Sequence, residues 1–250
     1  MLYLKEQSGR RYVKILKDSY SRQQFNPGLL GIFINPFYFA RKGLFENISK
    51  LGDQLAGRLL DVGCGSKPYK SLFHVNEYVG LEIETVGEIK SVEADVLYDG
   101  SYMPFSESYF DCILCNQVLE HVFNPAQFLK ELNRVVRTDG LLLLTVPFVW
   151  DEHEQPYDYA RYSSFGLIHL LKENGFTIIE HKKTNNGIEA IFQLLNAYLY
   201  KVTYITNPYL RLLITLIIHA PINIIGLVLS KLLPRNNDLY LDNIILAKKI

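Results

Sequence analysis

The chain has 250 residues, and its 26 lysines and arginines balance its 26 aspartates and glutamates, so no net charge attracts it to nucleic acid. The basic residues are scattered, which also argues against a nucleic-acid-binding surface. Only three cysteines are present, an odd and low number that favours a reducing compartment over a disulfide framework. The length suffices for one α/β domain with an insertion.

Residues 1–56 are predicted to form a helical lead-in, with turn signals at Asn26-Pro27-Gly28 and Asn35-Pro36. Residues 1–17 mix charged with apolar side chains and lack the continuous apolar run of a signal peptide. We therefore expect a cytoplasmic protein.

From residue 57 onward, strand-like and helix-like segments alternate, which is typical of a parallel sheet covered by helices on both faces. The predicted strands are Arg58–Val62, Tyr78–Leu81, Ser91–Ala94, Phe110–Cys115, Leu141–Pro147, Phe176–His181 and Leu241–Lys248. Capping residues predict helices that begin at Asn124-Pro125 and at Ser163-Ser164. The predicted core domain covers residues 57–187, and residues 235–250 return to it as the last strand.

The pair Cys112-x-x-Cys115 has the spacing of some metal and redox motifs, but it lies inside a predicted strand. Side chains three residues apart in a strand point to opposite faces, so these two thiols cannot share a ligand. We expect them to pack in the core, and we expect no metal site in the protein.

The first predicted strand ends at Asp61 and leads into Gly63-Cys64-Gly65. Glycines at such a turn let the backbone bend tightly and come close to a bound nucleotide. Glu82 ends the second strand about 20 residues later, where an acid can bind both ribose hydroxyls. A dinucleotide-binding motif would have a third glycine where Pro68 stands, which argues against NAD.

Together with segments further along, these residues resemble the class I S-adenosylmethionine-dependent methyltransferases, in particular the small-molecule type with Leu-Glu-His-Val after the fourth strand. The resemblance is carried by Asp61–Tyr69, Tyr78–Glu82, Ala94-Asp95, Met103–Phe105, Phe110-Asp111, Cys115–Val122 and Asp139-Gly140. It implies a doubly wound, Rossmann-like α/β fold whose seven-stranded sheet has an antiparallel last strand. It also implies S-adenosyl-L-methionine as the cofactor.

The resemblance places a cofactor site at the carboxyl ends of the strands, with these residues: Asp61, Gly63, Cys64, Gly65, Glu82, Asp95, Asn116 and Gln117. In this family Asp61 would hold the methionine ammonium, Glu82 the ribose and Asp95 the adenine amino group. Asn116 and Gln117 would line the floor beneath the sulfonium. The glycine turn would offer backbone N–H groups to the ligand.

The loop 147–162 leaves the carboxyl edge of a central strand and combines aromatic side chains with His153, Asp158 and Arg161, a mixture that suits an acceptor pocket. Imidazole is the base best suited to neutral pH, so His153 is the candidate that deprotonates an acceptor hydroxyl. An anionic or amine acceptor would need no base. Asp158 and Arg161 either contact the acceptor or form an ion pair that holds the loop. His121 either shapes its own loop or contacts the acceptor.

Residues 188–234 form a predicted apolar helical insertion before the last strand. Its first helix is amphipathic, and Leu210–Leu233 is almost continuously apolar, at nearly the length of a bilayer span. His219, Pro221 and Asn223 at its middle argue against a span and favour two shorter helices joined near Pro221. The insertion then either covers the acceptor site or a homodimer partner, or contacts the inner membrane face peripherally.

The sequence therefore predicts an S-adenosylmethionine-dependent methyltransferase that acts on oxygen of a small or lipid-linked acceptor. The alternative is a non-catalytic domain that binds the cofactor and acts as a partner- or membrane-binding module.

Overall fold

The computed structural model describes residues 20–84 and 93–250. Contacts divide the chain into two compact units. Among the described residues, the helical unit comprises residues 20–45 and Gly187–Asn236, and the sheet unit comprises residues 46–84, 93–186 and Asn237–Ile250. The sequence-based predictions for residues 1–19 lie outside the described residues, and the predicted domain boundaries stay predictions.

The sheet unit contains one seven-stranded sheet in the order β3-β2-β1-β4-β5-β7-β6. Its strands are β1 (Arg58–Val62), β2 (Glu77–Ile83), β3 (Val96–Tyr98), β4 (Phe110–Asn116), β5 (Val136–Pro147), β6 (Phe176–Lys183) and β7 (Asp242–Lys249). The pairs among β1 to β5 are parallel, whereas β7 runs antiparallel to both β5 and β6. The predicted doubly wound α/β fold with an antiparallel last strand is confirmed.

The central strands are apolar on both faces because both faces of the sheet are covered. Every residue of β5 from Leu142 to Pro147 is buried, as are Leu59 and Leu60 in β1. Cys112 and Cys115 are free thiols buried in β4, as expected for core residues. Because β1, β2 and β4 are parallel neighbours, their carboxyl ends lie at the same edge of the sheet.

Residues 20–25 are helical, and the helices that lie wholly within the described residues are α1 (Gly31–Ile34), α2 (Tyr38–Gly52), α3 (Pro125–Val135), α4 (Ser164–Glu173), α5 (Ile188–Val202), α6 (Pro208–Ile214) and α7 (Ala220–Leu232). The predicted starts of α3 and α4 are confirmed. The Asn124 side chain accepts from Gln127 N at 3.4 Å, and Ser163 Oγ accepts from Gly166 N at 3.3 Å, so each caps the first turn of its helix.

Two strands, β3 and β5, differ by more than two residues from the sequence-based prediction. β3 begins at Val96, directly after Asp95, whose carboxylate accepts a hydrogen bond from Gly80 N of the neighbouring strand β2. Of the range predicted for this strand, residues 91–92 lie outside the described residues. β5 begins at Val136 rather than Leu141, because Asp139, at φ 60°, is absorbed into the strand. The register between β4 and β5 shifts there, which is the mark of a β-bulge.

The prediction of two separate helices joined near Pro221 is wrong. Helical structure is continuous from Pro208 to Leu232, with a π-helical turn at Thr215–His219. Proline lacks an N–H and clashes with the carbonyl group four residues earlier, and a wider turn just before Pro221 accommodates both effects without breaking the helix.

Candidate active site

The turn after β1 has the backbone conformation that glycine favours. Gly63 and Gly65 have φ values of +69° and +50°. A Cβ at Gly63 would collide with Val118, whereas a Cβ at Gly65 would meet nothing within 4 Å. Gly65 N donates to the Glu82 carboxylate at 2.8 Å, so the turn and the end of β2 are joined directly beside this open space.

The backbone N–H groups of this turn have partners within the protein. Gly63 N and Cys64 N donate to Leu81 O at 2.9 and 3.2 Å. These bonds hold the turn against β2 and set the position of Gly65.

Asp61 is a buried acid at the tip of β1. Its carboxylate accepts a 2.5 Å hydrogen bond from the Tyr78 hydroxyl. Burial raises the pKa of Asp61 to about 7, and the nearby Glu82 charge adds to the rise, while the Tyr78 bond opposes it. A buried carboxyl of this kind is stabilised in its charged form by a cation, which fits the ammonium group expected here.

Asp95 is held at the start of β3 by two donors. Its Oδ2 atom accepts from Lys67 Nζ at 2.6 Å and from Gly80 N at 2.7 Å. These bonds, the backbone bond foremost, lower the pKa of Asp95. A Cβ at Gly80 would collide with the Lys67 side chain and lie 2.8 Å from Cys64 Sγ, so Gly80 leaves room for the lysine. The sequence analysis missed Lys67, because no local sequence pattern indicates that its partner, Asp95, lies 28 residues away.

The last residue of β4, Asn116, and the next residue, Gln117, join a polar network with Thr145 and Asp242, which the sequence analysis did not single out. Thr145 Oγ1 donates to Asn116 Oδ1 at 2.8 Å, and Gln117 Nε2 donates to Asp242 Oδ1 at 3.2 Å. Asp242 opens β7 opposite Pro147, the last residue of β5. Because β7 is antiparallel, its first residue lies at the edge where the parallel strands end. That topology was the available signal for Asp242.

The loop after β5 is held by the ion pair of Asp158 and Arg161. Arg161 Nη1 and Nη2 donate to the two Asp158 oxygens at 2.6 and 2.7 Å, and His153 N donates to Asp158 Oδ2 at 2.9 Å. The Arg161 hydrogen bonds lower the pKa of Asp158 to about 2. The predicted pair is therefore present, and it positions the backbone of His153.

The His153 ring is oriented through its Nδ1 atom. Two acceptors face Nδ1, Asp151 O at 3.2 Å and Asp158 Oδ2 at 3.3 Å. One donor, Arg161 Nη2, lies farther away at 3.4 Å. This arrangement favours a hydrogen on Nδ1, which leaves the Nε2 lone pair available as a base.

His121 and Glu120 lie against His153. The two imidazole rings meet edge to face with centroids 4.9 Å apart, and His121 Nδ1 is 2.9 Å from Tyr157 O. Burial lowers the pKa of His121 and raises that of Glu120 to about 8. The Glu120 oxygens are buried and have no hydrogen-bond partner among the described residues. The ligand atoms of Glu120, His121 and His153 lie within 4.8 Å of one another, so these three could hold a divalent metal.

A family model described as a methyltransferase domain matches residues 37–181, more than half of the chain. The chain belongs to the class I S-adenosylmethionine-dependent methyltransferases. A probable S-adenosylmethionine-dependent methyltransferase of Mycolicibacterium smegmatis is 28% identical over 52% of this chain and 56% of its own length. A malonyl-[acyl-carrier protein] O-methyltransferase of Legionella pneumophila is 30% identical over 41% of this chain and 40% of its own.

Among solved structures, an S-adenosylmethionine-dependent methyltransferase of Archaeoglobus fulgidus superimposes on this chain with a TM-score of 0.53 and 17% sequence identity. The superposition covers 89% of this chain and 100% of the other. At that identity the likeness supports the fold alone. The methyltransferase spans 38% to 68% of the length of the curated relatives it matches.

Membership of this family supports S-adenosylmethionine as the cofactor and an enzymatic role. The chain's own residues fit this cofactor: Gly65 borders open space, Glu82 ends β2 next to it, and the buried Asp61 favours a cation. The role of each individual residue stays a prediction. A cytoplasmic location fits this methyltransferase domain.

Proposed function

We propose that the methyltransferase transfers the methyl group to an oxygen atom of a small or lipid-linked acceptor, with His153 as the base. The observation that carries the proposal is the oriented ring of His153. Its Nδ1 atom faces two oxygen acceptors, which leaves the Nε2 lone pair to take a proton, and the side chain is 32% exposed. A hydroxyl needs such a base, since it is a weak nucleophile until it loses its proton.

The residues around His153 support this step by position and by charge. Bound S-adenosylmethionine supplies an electrophilic methyl group on a sulfonium, and transfer of that group depends chiefly on alignment. When His153 takes the hydroxyl proton, the Asp158 carboxylate 3.3 Å from Nδ1 stabilises the imidazolium. Arg161 holds Asp158 in place through two hydrogen bonds. Asp158 and Arg161 thus act as positioning residues.

An oxygen acceptor is also supported by the malonyl-[acyl-carrier protein] O-methyltransferase among the relatives, although the alignment covers only part of both chains. The lipid-linked alternative is supported by the large apolar surface that the helical unit exposes. Both acceptor classes are therefore included in the search for a substrate.

To test this proposal, the purified enzyme is incubated with methyl-labelled S-adenosylmethionine and, in separate reactions, with the aqueous and the lipid fraction of a cell extract. We expect label in one fraction, in a product that carries an O-methyl group. His153→Ala is expected to lose turnover by about 100-fold or more, because general-base catalysis contributes 10²–10⁴-fold. S-adenosylhomocysteine affinity, measured by calorimetry, is expected to stay the same.

The matched control is His169→Ala, which removes an exposed histidine from α4 in the same unit. It is expected to leave both turnover and affinity unchanged. Full turnover by His153→Ala, or label found only on nitrogen or carbon, would overturn the proposal.

A chelator distinguishes a base from a metal ligand at the same residue. With His153 as the base, EDTA is expected to leave turnover unchanged. Loss of turnover in EDTA, with recovery on adding a divalent cation, would instead make Glu120, His121 and His153 a metal site and would refute the metal-free mechanism.

A further inference from the structure

Helix α5 buries its small and polar side chains and exposes its large apolar ones. The buried residues are Ala190, Gln193, Asn196 and Ala197. The exposed ones include Ile191, Leu195, Tyr198 and Val202, which recur at helical spacing. A surface helix of a globular protein in water has the opposite arrangement, because its apolar stripe faces the core.

The continuous helix Pro208–Leu232 has the same inverted arrangement. Its buried residues are Thr215, His219, Ala220, Asn223 and Gly226. Its exposed residues include Leu212, Leu213, Leu216, Ile217, Ile224, Ile225, Val228 and Leu232. A Cβ at Gly226 would lie 2.8 Å from the Phe39 ring and 2.9 Å from Phe192 Cβ, so this glycine lets the helix pack closely against its neighbours.

Hydrogen bonds between side chains and backbone join the elements of the helical unit. Asn196 Nδ2 donates to Asn223 Oδ1 at 2.8 Å, and His219 Nδ1 contacts Asn196 Oδ1 at 3.0 Å. Asn223 Nδ2 in turn donates to Asn35 O at 3.0 Å, and Gln193 Nε2 donates to Pro36 O at 3.1 Å. Small residues and polar bonds at helix contacts, with large apolar residues outside, are how helices associate in lipid, where burial of apolar surface supplies no driving force.

The charge of the helical unit differs from that of the whole chain. Its described residues include one acidic residue, Glu189, and these seven basic ones: Arg22, Arg41, Lys42, Lys201, Arg211, Lys231 and Arg235. The complete chain has no net charge. A basic surplus beside an apolar surface complements anionic lipid headgroups, and it disfavours a second copy of the same unit, which would bring like charges together.

We infer that the helical unit binds an anionic membrane by inserting the apolar faces of α5 and of Pro208–Leu232 into one leaflet. The helix of 25 residues is long and apolar enough to cross a bilayer. However, Asn186 Nδ2 donates to Asn237 Oδ1 at 2.9 Å, so the chain enters and leaves the segment 187–236 at one place. The buried polar residues near the middle of the helix also favour a position in the interface over a span. Membrane binding by this unit is independent of which acceptor is methylated.

The test is co-sedimentation of the full-length chain with vesicles of phosphatidylcholine alone and with vesicles containing phosphatidylglycerol. We expect binding to the anionic vesicles that is at least about tenfold tighter and that weakens with salt. Lys231→Gln with Arg235→Gln is expected to reduce this preference severalfold. Equal binding to both kinds of vesicle would show that the helical unit has no preference for anionic lipid and would overturn that part of the inference.

A second set of variants tests the apolar face. Ile217→Asp with Ile225→Asp places two carboxylates on the exposed face of Pro208–Leu232 and is expected to weaken vesicle binding by about tenfold or more. Phe165→Asp is the matched control, because Phe165 is 84% exposed on α4 of the sheet unit, and it is expected to bind vesicles as the unchanged chain does. Unaltered S-adenosylhomocysteine affinity of every variant verifies folding.

Two outcomes would overturn the membrane inference. One is a monomer that binds neither kind of vesicle. The other is a dimer in sedimentation velocity that Ile217→Asp with Ile225→Asp converts to monomer without any vesicle binding, which would mean that a second copy covers the face.

Discussion

The strands of the sheet unit and the helices of the segment 187–236 bury opposite kinds of side chain. The sheet unit buries apolar strands and keeps its polar network at the carboxyl edge of the sheet, where chemistry requires it. The helical unit buries asparagine, glutamine and histidine and exposes leucine and isoleucine. One chain of no net charge thus contains a sheet unit with an apolar interior and a segment that leaves many large apolar side chains exposed, which is the arrangement that we propose for contact with lipid.

The largest difference is expected between two leucine truncations. Leu142→Ala removes a completely buried side chain from β5 and should lower the free energy of unfolding by about 2–5 kcal/mol. Leu213→Ala removes a half-exposed side chain from α6 and should change the free energy of unfolding by about 0.5 kcal/mol or less in water. Urea unfolding measures both. Equal losses of unfolding free energy would show that the apolar face of the helical unit is buried against other protein groups in water. The proposed difference between the two units would then be wrong.

A pH-dependent loss of stability is expected from the buried acids of the sheet unit. The pKa of Glu120 is raised to about 8 from its ordinary 4.5, so between these values the unfolded chain releases a proton that the folded chain retains. The free energy of unfolding therefore falls as pH rises from about 5 to 8, by up to about 4 kcal/mol from this group, and levels off above. Asp61, whose pKa is raised to about 7, acts in the same direction.

Glu120→Gln isolates this contribution, because the amide has the same shape and does not titrate. Its unfolding free energy should decline less between pH 5 and 8 than that of the unchanged chain. Glu173→Gln, at an exposed position of α4, should leave the decline as it was. The same slope in Glu120→Gln and the unchanged chain would show that this carboxyl ionises normally in the folded state.

The smallest effect is expected in the polar network of the helical unit. Asn223→Ala leaves Asn196 and two backbone carbonyls without their partner and should cost about 1–3 kcal/mol in urea unfolding. Asn76→Ala, at an exposed position of the sheet unit, should cost about 0.5 kcal/mol or less. If the two variants are equally stable, the buried asparagines do not hold the helical unit together.

Much of the local geometry at the carboxyl ends of β1 and β2 was predictable because its signals lie in a few consecutive residues. The turn at Gly63 and Gly65, the acids at the ends of β1 and β2, and the caps of α3 and α4 each follow from a few consecutive residues. The bonds of Asp95 with Lys67 and of Gln117 with Asp242 join residues 28 and 125 positions apart. No pattern within a window of sequence contains such pairs.

The sequence by itself determined the approximate position of most strands, the glycines and acids at the ends of the first two strands, and the apolar character of the insertion. Only the tertiary structure decided which side of α5 is inside. The period of 3.6 residues shows that a helix has an apolar face and a polar face, but not which of them meets the protein. Here Pro36, Asn223 and His219 offered hydrogen-bond partners to the polar face of α5, so that face was buried and the apolar one was left outside.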